Sequence, residues 1–173
     1  MIISNIKPGY VYHIKDSYFE AVNDDKLMRN HEGGAYRPTY FCLKDKKTGL
    51  LWIVPMSSRV DKYQAIVDRD IKRYGKCLKI FVGEYANKPN AFLFQNIFPI
   101  IPKYISHIHT IGQNPVPVNE RLQALLDMNF REIKRLHKRG AKLIFPDIDR
   151  LEEIMLNELA ANKEWTINTN NCF

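Results

Sequence analysis

The stretch of sequence that decides the fold spans residues 36–58 and reads YRPTYFCLKDKKTGLLWIVPMSS. Two runs of mainly apolar and aromatic residues, 36–44 and 50–56, lie on either side of the polar segment 45–49, which ends in glycine. Glycine readily supplies the positive φ that many hairpin loops require. The pattern therefore predicts an antiparallel β-hairpin whose second strand is buried and leads through Ser57 and Ser58 into a helix.

Further strands and three helices are predicted around this hairpin. Strands are expected at 10–14, at 78–84 and 91–95 as a second hairpin, and around 107–111. Helices are expected at 58–76, capped by Ser58 with Asp61 and ended by Gly75, at 119–139, ended by Gly140, and at about 149–161. Hairpins followed by helices at the C-terminal end indicate an α+β domain on an antiparallel sheet. Residues 24–34 are expected to form a mobile loop.

Length and composition place the chain among globular proteins. The 173 residues are 45% hydrophobic and favour a single domain over 1–173, with residues 162–173 as a tail of unclear structure. No apolar run approaches the roughly 20 residues of a membrane-spanning helix, and no signal-peptide pattern is visible. Cys42, Cys77 and Cys172 have no CxxC spacing, which argues against a disulfide scaffold or a cysteine zinc site and favours a reducing, cytoplasmic location.

Positive charge is concentrated in the first 146 residues. The chain has 26 Lys and Arg against 19 Asp and Glu, a net charge of +7, and 2 of the basic and 6 of the acidic residues lie after position 146. The first 146 residues therefore carry a net charge of +11. A basic body with an acidic end favours a polyanionic partner over ordinary solubility charge.

Two predicted helices each carry a basic face opposite an apolar stripe. The helix at 58–76 has apolar Val60, Tyr63, Val67, Ile71 and Tyr74 and basic Lys62, Arg69, Lys72, Arg73 and Lys76. The helix at 119–139 has apolar Leu122, Leu125, Leu126, Phe130, Ile133 and Leu136 and basic Arg131, Lys134, Arg135 and Lys138. Like charges on one face repel each other unless they are neutralised, so both faces, with Arg59, are predicted to contact an extended phosphate backbone. The resemblance described below makes this backbone that of an RNA.

No Walker, GxGxxG, HExxH or GxSxG motif occurs, so the candidates for chemistry are less regular groups. Ser57 and Ser58 precede a helix whose N-terminal amides could hold a phosphate, although a plain helix cap is the alternative. The start of one hairpin strand lies beside the end of the other, so Arg37 is expected near Ser57. Together these residues could clamp a phosphate, with Lys62 one turn further; a surface arginine is the alternative for Arg37.

Histidines and tyrosines are further candidates. His107 and His109 lie on one face of a predicted strand and could ligate a metal, but no further ligand is near in sequence and no metal site is expected. A structural role is favoured for them, with RNA contact or acid–base chemistry as further options. Three other histidines are isolated in sequence and are expected to be surface or partly buried side chains: His13, His31 and His137. Of these, His31 is the main candidate for function, because it lies in the polar loop at 24–34. Three tyrosines could stack on unpaired bases, although a core position is expected for each: Tyr36, Tyr40 and Tyr104.

Taken together, these motifs resemble the type III toxin–antitoxin endoribonucleases of the ToxN/AbiQ group. The segments that carry the resemblance are 36–41, 51–58 and 95–100. The segments 107–111, 115–118 and 143–149 make the chain similar to the CptN branch in particular. The resemblance extends from about residue 7 to residue 159.

The resemblance implies a metal-independent RNase without a cofactor, on a strongly twisted antiparallel sheet with surrounding helices, similar to the MazF/Kid toxin fold. Such toxins cut a repetitive antitoxin RNA into pseudoknot units and stay bound to these units in closed protein–RNA assemblies. The free toxin cleaves cellular mRNA and stops growth or aborts phage infection, without a role for membranes. Cleavage by attack of the ribose 2′-hydroxyl on the adjacent phosphate leaves a 2′,3′-cyclic phosphate.

The resemblance also implies catalytic positions. Arg37 and the pair Ser57–Ser58 match the basic residue and the hydroxyl pair of the group. Lys62 lies one helical turn beyond the position of a lysine that some members of the group have. Tyr36 lies near the position of a tyrosine of the group. Transesterification also needs a base for the 2′-hydroxyl and an acid for the leaving oxygen. The sequence leaves Ser57, His107, His109 and Lys62 open for these roles.

Two other functions remain compatible with the sequence. A non-catalytic module that binds structured RNA would use the same basic faces. A DNA-binding regulator would use the helix at 119–139 for recognition, but no second helix stands at helix-turn-helix spacing.

Overall fold

The chain has an α+β fold built on a mostly antiparallel sheet, as predicted. The computed structural model describes residues 5–170, and the side chains of residues 5–162. The helices of this part are α1 (Asp16–Val22), α2 (Val60–Tyr74), α3 (Glu120–Lys138) and α4 (Ile148–Asn170). The strands are β1 (Val11–Ile14), β2 (His31–Glu32), β3 (Ala35–Tyr36), β4 (Thr39–Lys44), β5 (Leu51–Ser57), β6 (Ile80–Tyr85), β7 (Lys88–Leu93), β8 (Phe98–Ile100), β9 (Ile105–Ile108), β10 (Thr110–Ile111) and β11 (Asn114–Pro115).

The predicted hairpin of β4 and β5 lies at the centre of the main sheet. The strand order is β6–β7–β5–β4–β1–β9, and β8 pairs with the first half of β5. All of these pairs are antiparallel. Gly49 ends the connecting loop with a φ of 78°, which a side chain would disfavour. Every residue of β5 is buried, so the second strand of the hairpin runs through the core along its whole length.

Side chains of β5 alternate between two cores, one on each face of the sheet. Trp52 and Val54 belong to the core that includes α3. Leu51 and Ile53 point to the other face, where α1 and α4 pack. A smaller third core joins Tyr63 of α2 to β6 and β7. The helices therefore cover both faces of the central strands.

The predicted start of α2 is wrong. This helix begins at Val60 after Arg59, and no side chain caps its first turn. Ser58 is exposed and forms no capping box with Asp61. The hydroxyl of Ser57 instead accepts a hydrogen bond from the backbone N–H of Arg59 at 3.2 Å, because β5 continues to Ser57 and turns directly into the helix.

The predicted apolar stripes are correct only in part. In α2, Ile71 and Tyr74 are 48% and 63% exposed, and Asp70 is buried in their place. Lys79 forms an ion pair of 2.8 Å with Asp70, and this pairing allows the carboxylate to be buried. In α3, Leu125 is 46% exposed, whereas Leu126, Phe130 and Ile133 are buried as predicted.

Several features were not predicted from the pattern. Residues 24–34, expected to be a mobile loop, contain β2, which pairs with β3 across Gly33 and Gly34. The sequence pattern also misses α1 and β8, and α4 continues to Asn170 rather than ending near residue 161. Cys172 lies outside the described residues. No helix in the described part of the chain combines the length and apolar character needed to cross a bilayer.

Candidate active site

Arg37 and Ser57 are neighbours, as the hairpin geometry predicts. Thr39 pairs with Pro55 across β4 and β5, so the residues just outside this pair approach each other. The Nη1 atom of Arg37 donates a hydrogen bond to the carbonyl oxygen of Met56 at 3.2 Å. Both Arg37 and Ser57 line the same cleft, although 20 positions separate them in the sequence.

The guanidinium group of Arg37 is buried and fully oriented. Arg37 is 9% exposed, and its Nε donates to the carbonyl oxygen of Arg29 at 3.0 Å. The backbone N–H of Arg37 donates to the carbonyl oxygen of Asn30 at 2.6 Å. Two carbonyl oxygens, those of Arg29 and Met56, thus orient a planar cation that is well suited to bind a phosphate, and the backbone hydrogen bond anchors the residue.

Glu32 supplies the negative charge that partners this cation. Its carboxylate lies 3.1 Å from Nη2 of Arg37 through one oxygen and 2.6 Å from Nη2 of Arg59 through the other. Glu32 stands on β2, next to the Gly33–Gly34 turn of the short hairpin with β3. The hairpin therefore carries a carboxylate over the two arginines.

These residues surround a cleft with a volume of about 420 Å³. Four of the lining residues are cationic, and Glu32 is the single acidic one and His31 the single histidine among them. The complete lining consists of Met28, Arg29, His31, Glu32, Gly33, Arg37, Ser57, Arg59, Lys62 and Tyr63. A cleft of this size and charge fits one phosphate with the adjoining ribose.

The structure brings together three of the five predicted catalytic residues. Arg37, Ser57 and Lys62 line the cleft, and Lys62 reaches it from the first turn of α2. Ser58 is exposed and does not line the cleft, because the chain turns outward between Ser57 and the helix. Tyr36 lies beside the cleft, with its ring centroid 4.3 Å from that of His31.

His13, predicted to be isolated, is buried in a cluster of imidazole rings with His107 and His109. Its Nε2 lies 2.9 Å from Nδ1 of His109, and its ring stacks on His107 with centroids 4.5 Å apart. Tyr36 contacts the rings of both His13 and His107 edge-on at 6.0 Å. The pairing of β1 with β9 brings these rings together. The edge of the cleft thus continues into a histidine cluster.

Burial favours the neutral forms of His13 and His109. Desolvation, followed by the neighbouring rings of His107 and His109, lowers the pKa of His13 to about 4. Desolvation and then His107 also lower the pKa of His109. Nδ1 of His13 is buried without a hydrogen-bond partner among the described residues. Within those residues, no group of three or more His, Cys, Asp or Glu side chains could hold a metal ion.

The two remaining tyrosine candidates belong to the core. Tyr40 is 1% exposed and Tyr104 is 4% exposed, so neither can stack on a base. The hydroxyl of Tyr104 donates to Glu158 at 2.7 Å, which connects the sheet to α4. Tyr36 is half-buried, and it is the one of the three that stays accessible beside the cleft.

The two predicted basic faces differ in the structure. On α2, the cations Arg69, Lys72 and Arg73 are exposed, and Lys72 has no ion-pair partner among residues 5–162. Arg69 lies 3.6 Å from Asp70, and the guanidinium of Arg73 lies over the ring of Tyr74 at 5.2 Å. This face retains most of its positive charge for a partner.

On α3, by contrast, nearby carboxylates pair with most of the cations. Arg131 lies 3.1 Å from Asp127, and Lys134 lies 2.9 Å from Glu152 of α4. Arg135 forms two hydrogen bonds with Glu132, of 2.8 and 2.7 Å. Lys138 has no ion pair among the residues whose side chains are described. The repulsion expected along this stripe is thus largely cancelled.

A larger cavity of about 1130 Å³ lies at the opposite end of the central hairpin. Loop residues 44–49 and α3 line it, and it contains neither a histidine nor the hydroxyl pair. Cys42 is the cysteine among its lining residues, and burial raises the pKa of this thiol well above its ordinary value. The smaller cleft is therefore the better candidate for chemistry.

Glu32, His31 and Arg29 are the charged or titratable lining residues that were outside the predicted catalytic and RNA-binding set. His31 is held by Asp16, whose Oδ1 lies 2.6 Å from its Nε2. The sequence did contain one signal, because a His-Glu pair followed by Gly-Gly is typical of a tight turn that presents polar side chains.

Comparisons with known proteins agree with this fold. No family profile matches the sequence, and no curated protein matches it either. Among solved structures, the chain is similar to AbiQ, a lactococcal anti-phage endoribonuclease belonging to the type III toxin–antitoxin system. The TM-score is 0.63 at 13% sequence identity, over 83% of this chain and 93% of the AbiQ chain. At this identity the likeness establishes a shared fold.

Proposed function

We propose that this protein is the toxin of a type III toxin–antitoxin system and acts as a metal-independent endoribonuclease. The observation that carries the proposal is the buried Arg37 beside Ser57 in a cationic cleft, on a fold shared with an endoribonuclease of such a system. The segments that resemble the CptN branch add to this support. A single domain with a MazF/Kid-like sheet, acting in the cytoplasm, is part of the same proposal.

In the proposed reaction, Arg37, Arg59 and the hydroxyl of Ser57 bind the scissile phosphate. The 2′-oxygen attacks phosphorus, the bond to the 5′-oxygen breaks, and a 2′,3′-cyclic phosphate forms. Charge accumulates on the phosphorane oxygens, where oriented donors are most effective. Lys62 adds a further positive charge to the cleft.

The proposed partners are RNAs. Pseudoknot units of a repetitive antitoxin RNA bind the toxin in a closed assembly and inhibit it, and cellular mRNA is the substrate of the free toxin. The exposed cations of α2 are the strongest candidates for the RNA backbone, together with His107, because no carboxylate pairs with Lys72 among the residues described. Lys134 and Arg135 of α3 would have to exchange carboxylate partners for phosphates.

The test is cleavage of antitoxin-repeat RNA by the purified protein in the presence of a chelator. Arg37→Ala and Ser57→Ala should lower the rate by about 100-fold or more, the usual loss when a donor to the transition state is removed. Ser17→Ala, which removes an exposed hydroxyl from α1, serves as the matched control. Wild-type rates for both site variants would refute the proposal.

The same assay separates the alternatives. RNA that is bound but not cut by wild-type protein would identify a non-catalytic RNA-binding module. Preference for duplex DNA would identify a DNA-binding regulator. Cleavage that stops with chelator would show that a metal takes part.

A further inference from the structure

The cleft contains one carboxylate and one imidazole, and they are adjacent in the chain. We propose that Glu32 accepts the proton of the 2′-hydroxyl and that His31 donates a proton to the leaving 5′-oxygen. This assignment rests on the proposed RNase function and supplies the base and acid that the clamp itself lacks.

Glu32 is placed where the attacking group must lie. Its carboxylate contacts Arg37 and Arg59, the two cations that would bind the phosphate. The 2′-hydroxyl belongs to the ribose next to that phosphate, so a group in contact with the clamp is within reach of its proton. The side chain is 41% exposed, which leaves the carboxylate open to a substrate.

His31 is oriented by a carboxylate outside the cleft. Oδ1 of Asp16 accepts from its Nε2 at 2.6 Å, and the same oxygen accepts from Nδ2 of Asn30 at 2.8 Å. The Asn30 hydrogen bond, and then His31, lower the pKa of Asp16, so this carboxylate stays ionised. With Nε2 engaged, Nδ1 of the imidazolium form is the atom that can donate a proton into the cleft.

The proton balance of the step is complete. The O–H bond of the 2′-hydroxyl breaks and its proton passes to Glu32, while the 2′-oxygen forms a bond to phosphorus. The P–O5′ bond breaks, and the 5′-oxygen takes the Nδ1 proton of His31. The products are a 2′,3′-cyclic phosphate and a 5′-hydroxyl, with Glu32 protonated and His31 neutral until solvent resets both.

The base is tested with Glu32→Gln in the full chain, on RNA in chelator. We expect kcat/KM to fall by about 100-fold or more. The rise of the rate on the acidic side of the pH profile should disappear, and Glu32→Asp should restore part of the activity. Binding of an RNA with a 2′-deoxy nucleotide at the mapped cleavage site should stay equal or become tighter, because a negative charge is removed. Glu20→Gln, an exposed carboxylate on α1, is the control.

The acid is tested with His31→Ala on two substrates cut at the same site. One is ordinary RNA, and the other carries sulfur in place of the scissile 5′-oxygen, so that the leaving group needs no proton. We expect about a 100-fold loss on ordinary RNA and a loss of less than about fivefold on the sulfur substrate. The Glu32→Gln loss should persist on both.

The outcomes are distinguishable. Glu32→Gln within threefold of the wild-type rate overturns the assignment of the base. Equal losses for His31→Ala on both substrates overturn the assignment of the acid. If the wild-type protein cuts no RNA, the proposed function fails and both assignments fail with it. If the wild type and Glu32→Gln are both active, only the assignment of Glu32 as the base is rejected.

Discussion

Protonation of His13 should make the protein less stable in mild acid, and a substitution at this position tests the effect. His13 is 7% exposed, and its pKa falls from an ordinary value of 6.5 to about 4 because of burial first and the rings of His107 and His109 second. The perturbation is His13→Gln, which removes the titrating ring and keeps a polar group near the position of Nε2.

The sign follows from which state binds the proton. Between pH 6.5 and about pH 4 the unfolded chain binds a proton at residue 13 and the folded chain does not. The free energy of unfolding of the wild type therefore falls as the pH is lowered through this window. The total effect is on the order of 3 kcal/mol, and roughly 2.5 kcal/mol of it is lost between about pH 7.5 and pH 4.5. The lowered pKa of His109 makes the free energy of unfolding depend on pH in the same direction.

The assay is urea unfolding followed by circular dichroism at several pH values from 7.5 to 4.5. His13→Gln should lose some stability at neutral pH, because packed ring surface is removed, yet should show a much flatter pH dependence than the wild type. Ile133→Val, which removes one buried carbon from α3 and no titrating group, should lower the stability at every pH and keep the wild-type slope. If His13→Gln and wild type lose equal stability on acidification, His13 is not held neutral by its surroundings.

Three further predictions concern charge and backbone geometry. Lys72→Ala should weaken RNA binding and reduce the slope of log affinity against log salt by about 1. Arg135→Ala should change this slope little, because Glu132 already pairs with Arg135. Filter binding at several salt concentrations measures both slopes, and a larger effect of Arg135→Ala would refute the prediction. Asp70→Asn should destabilise the fold by about 2 kcal/mol, because it leaves Lys79 partly buried and unpaired. Since Lys79 lowers the pKa of Asp70, this loss of stability relative to wild type should be full near neutral pH and shrink below about pH 4. Equal urea midpoints of variant and wild type at neutral pH would contradict the prediction. Ala86→Gly should raise the melting temperature by a few degrees. Ala86 has a φ of 51° in the two-residue turn between β6 and β7, a conformation that is unfavourable for alanine and accessible to glycine. A lower melting temperature for the variant would show that the turn is not strained.

Features that depend on local pattern and sheet geometry could be predicted from the sequence. The alternation of residues 36–58 predicts the central hairpin, and antiparallel pairing of its two strands is then sufficient to place Arg37 beside Ser57. Gly75 and Gly140 mark helix ends for an equally local reason, since both adopt the positive φ that ends a helix. These inferences need no knowledge of distant contacts.

Features that depend on a partner far away in the chain could not be predicted in this way. His13 and His109 meet across 96 positions, because β1 pairs with β9. Lys134 forms an ion pair with Glu152 of α4, and the periodicity of one helix cannot predict a contact with another helix. Asp70 lies on the buried side of α2, outside the predicted apolar stripe, because Lys79, just before β6, compensates its charge.

Glu32 is a carboxylate in a cleft that is proposed to bind an anion. It weakens binding of the substrate but can favour the transition state, and this difference explains its presence. In the free protein it neutralises the buried charge of Arg37, and it competes with any phosphate for Arg37 and Arg59. It therefore weakens binding of the ground state. Under the proposed chemistry, the carboxylate loses its charge as the 2′-proton arrives, at the moment when the phosphorane gains charge.

The two arginines can then transfer their hydrogen bonds from the carboxylate to the phosphorane. An interaction that is poor with the bound substrate and good with the transition state raises kcat rather than affinity. Affinity for RNA must consequently come from outside the cleft, and the exposed cations of α2 are available for it. Under the proposed function, RNA affinity would come from α2, while the cleavage rate would be set separately by Glu32 and Arg37.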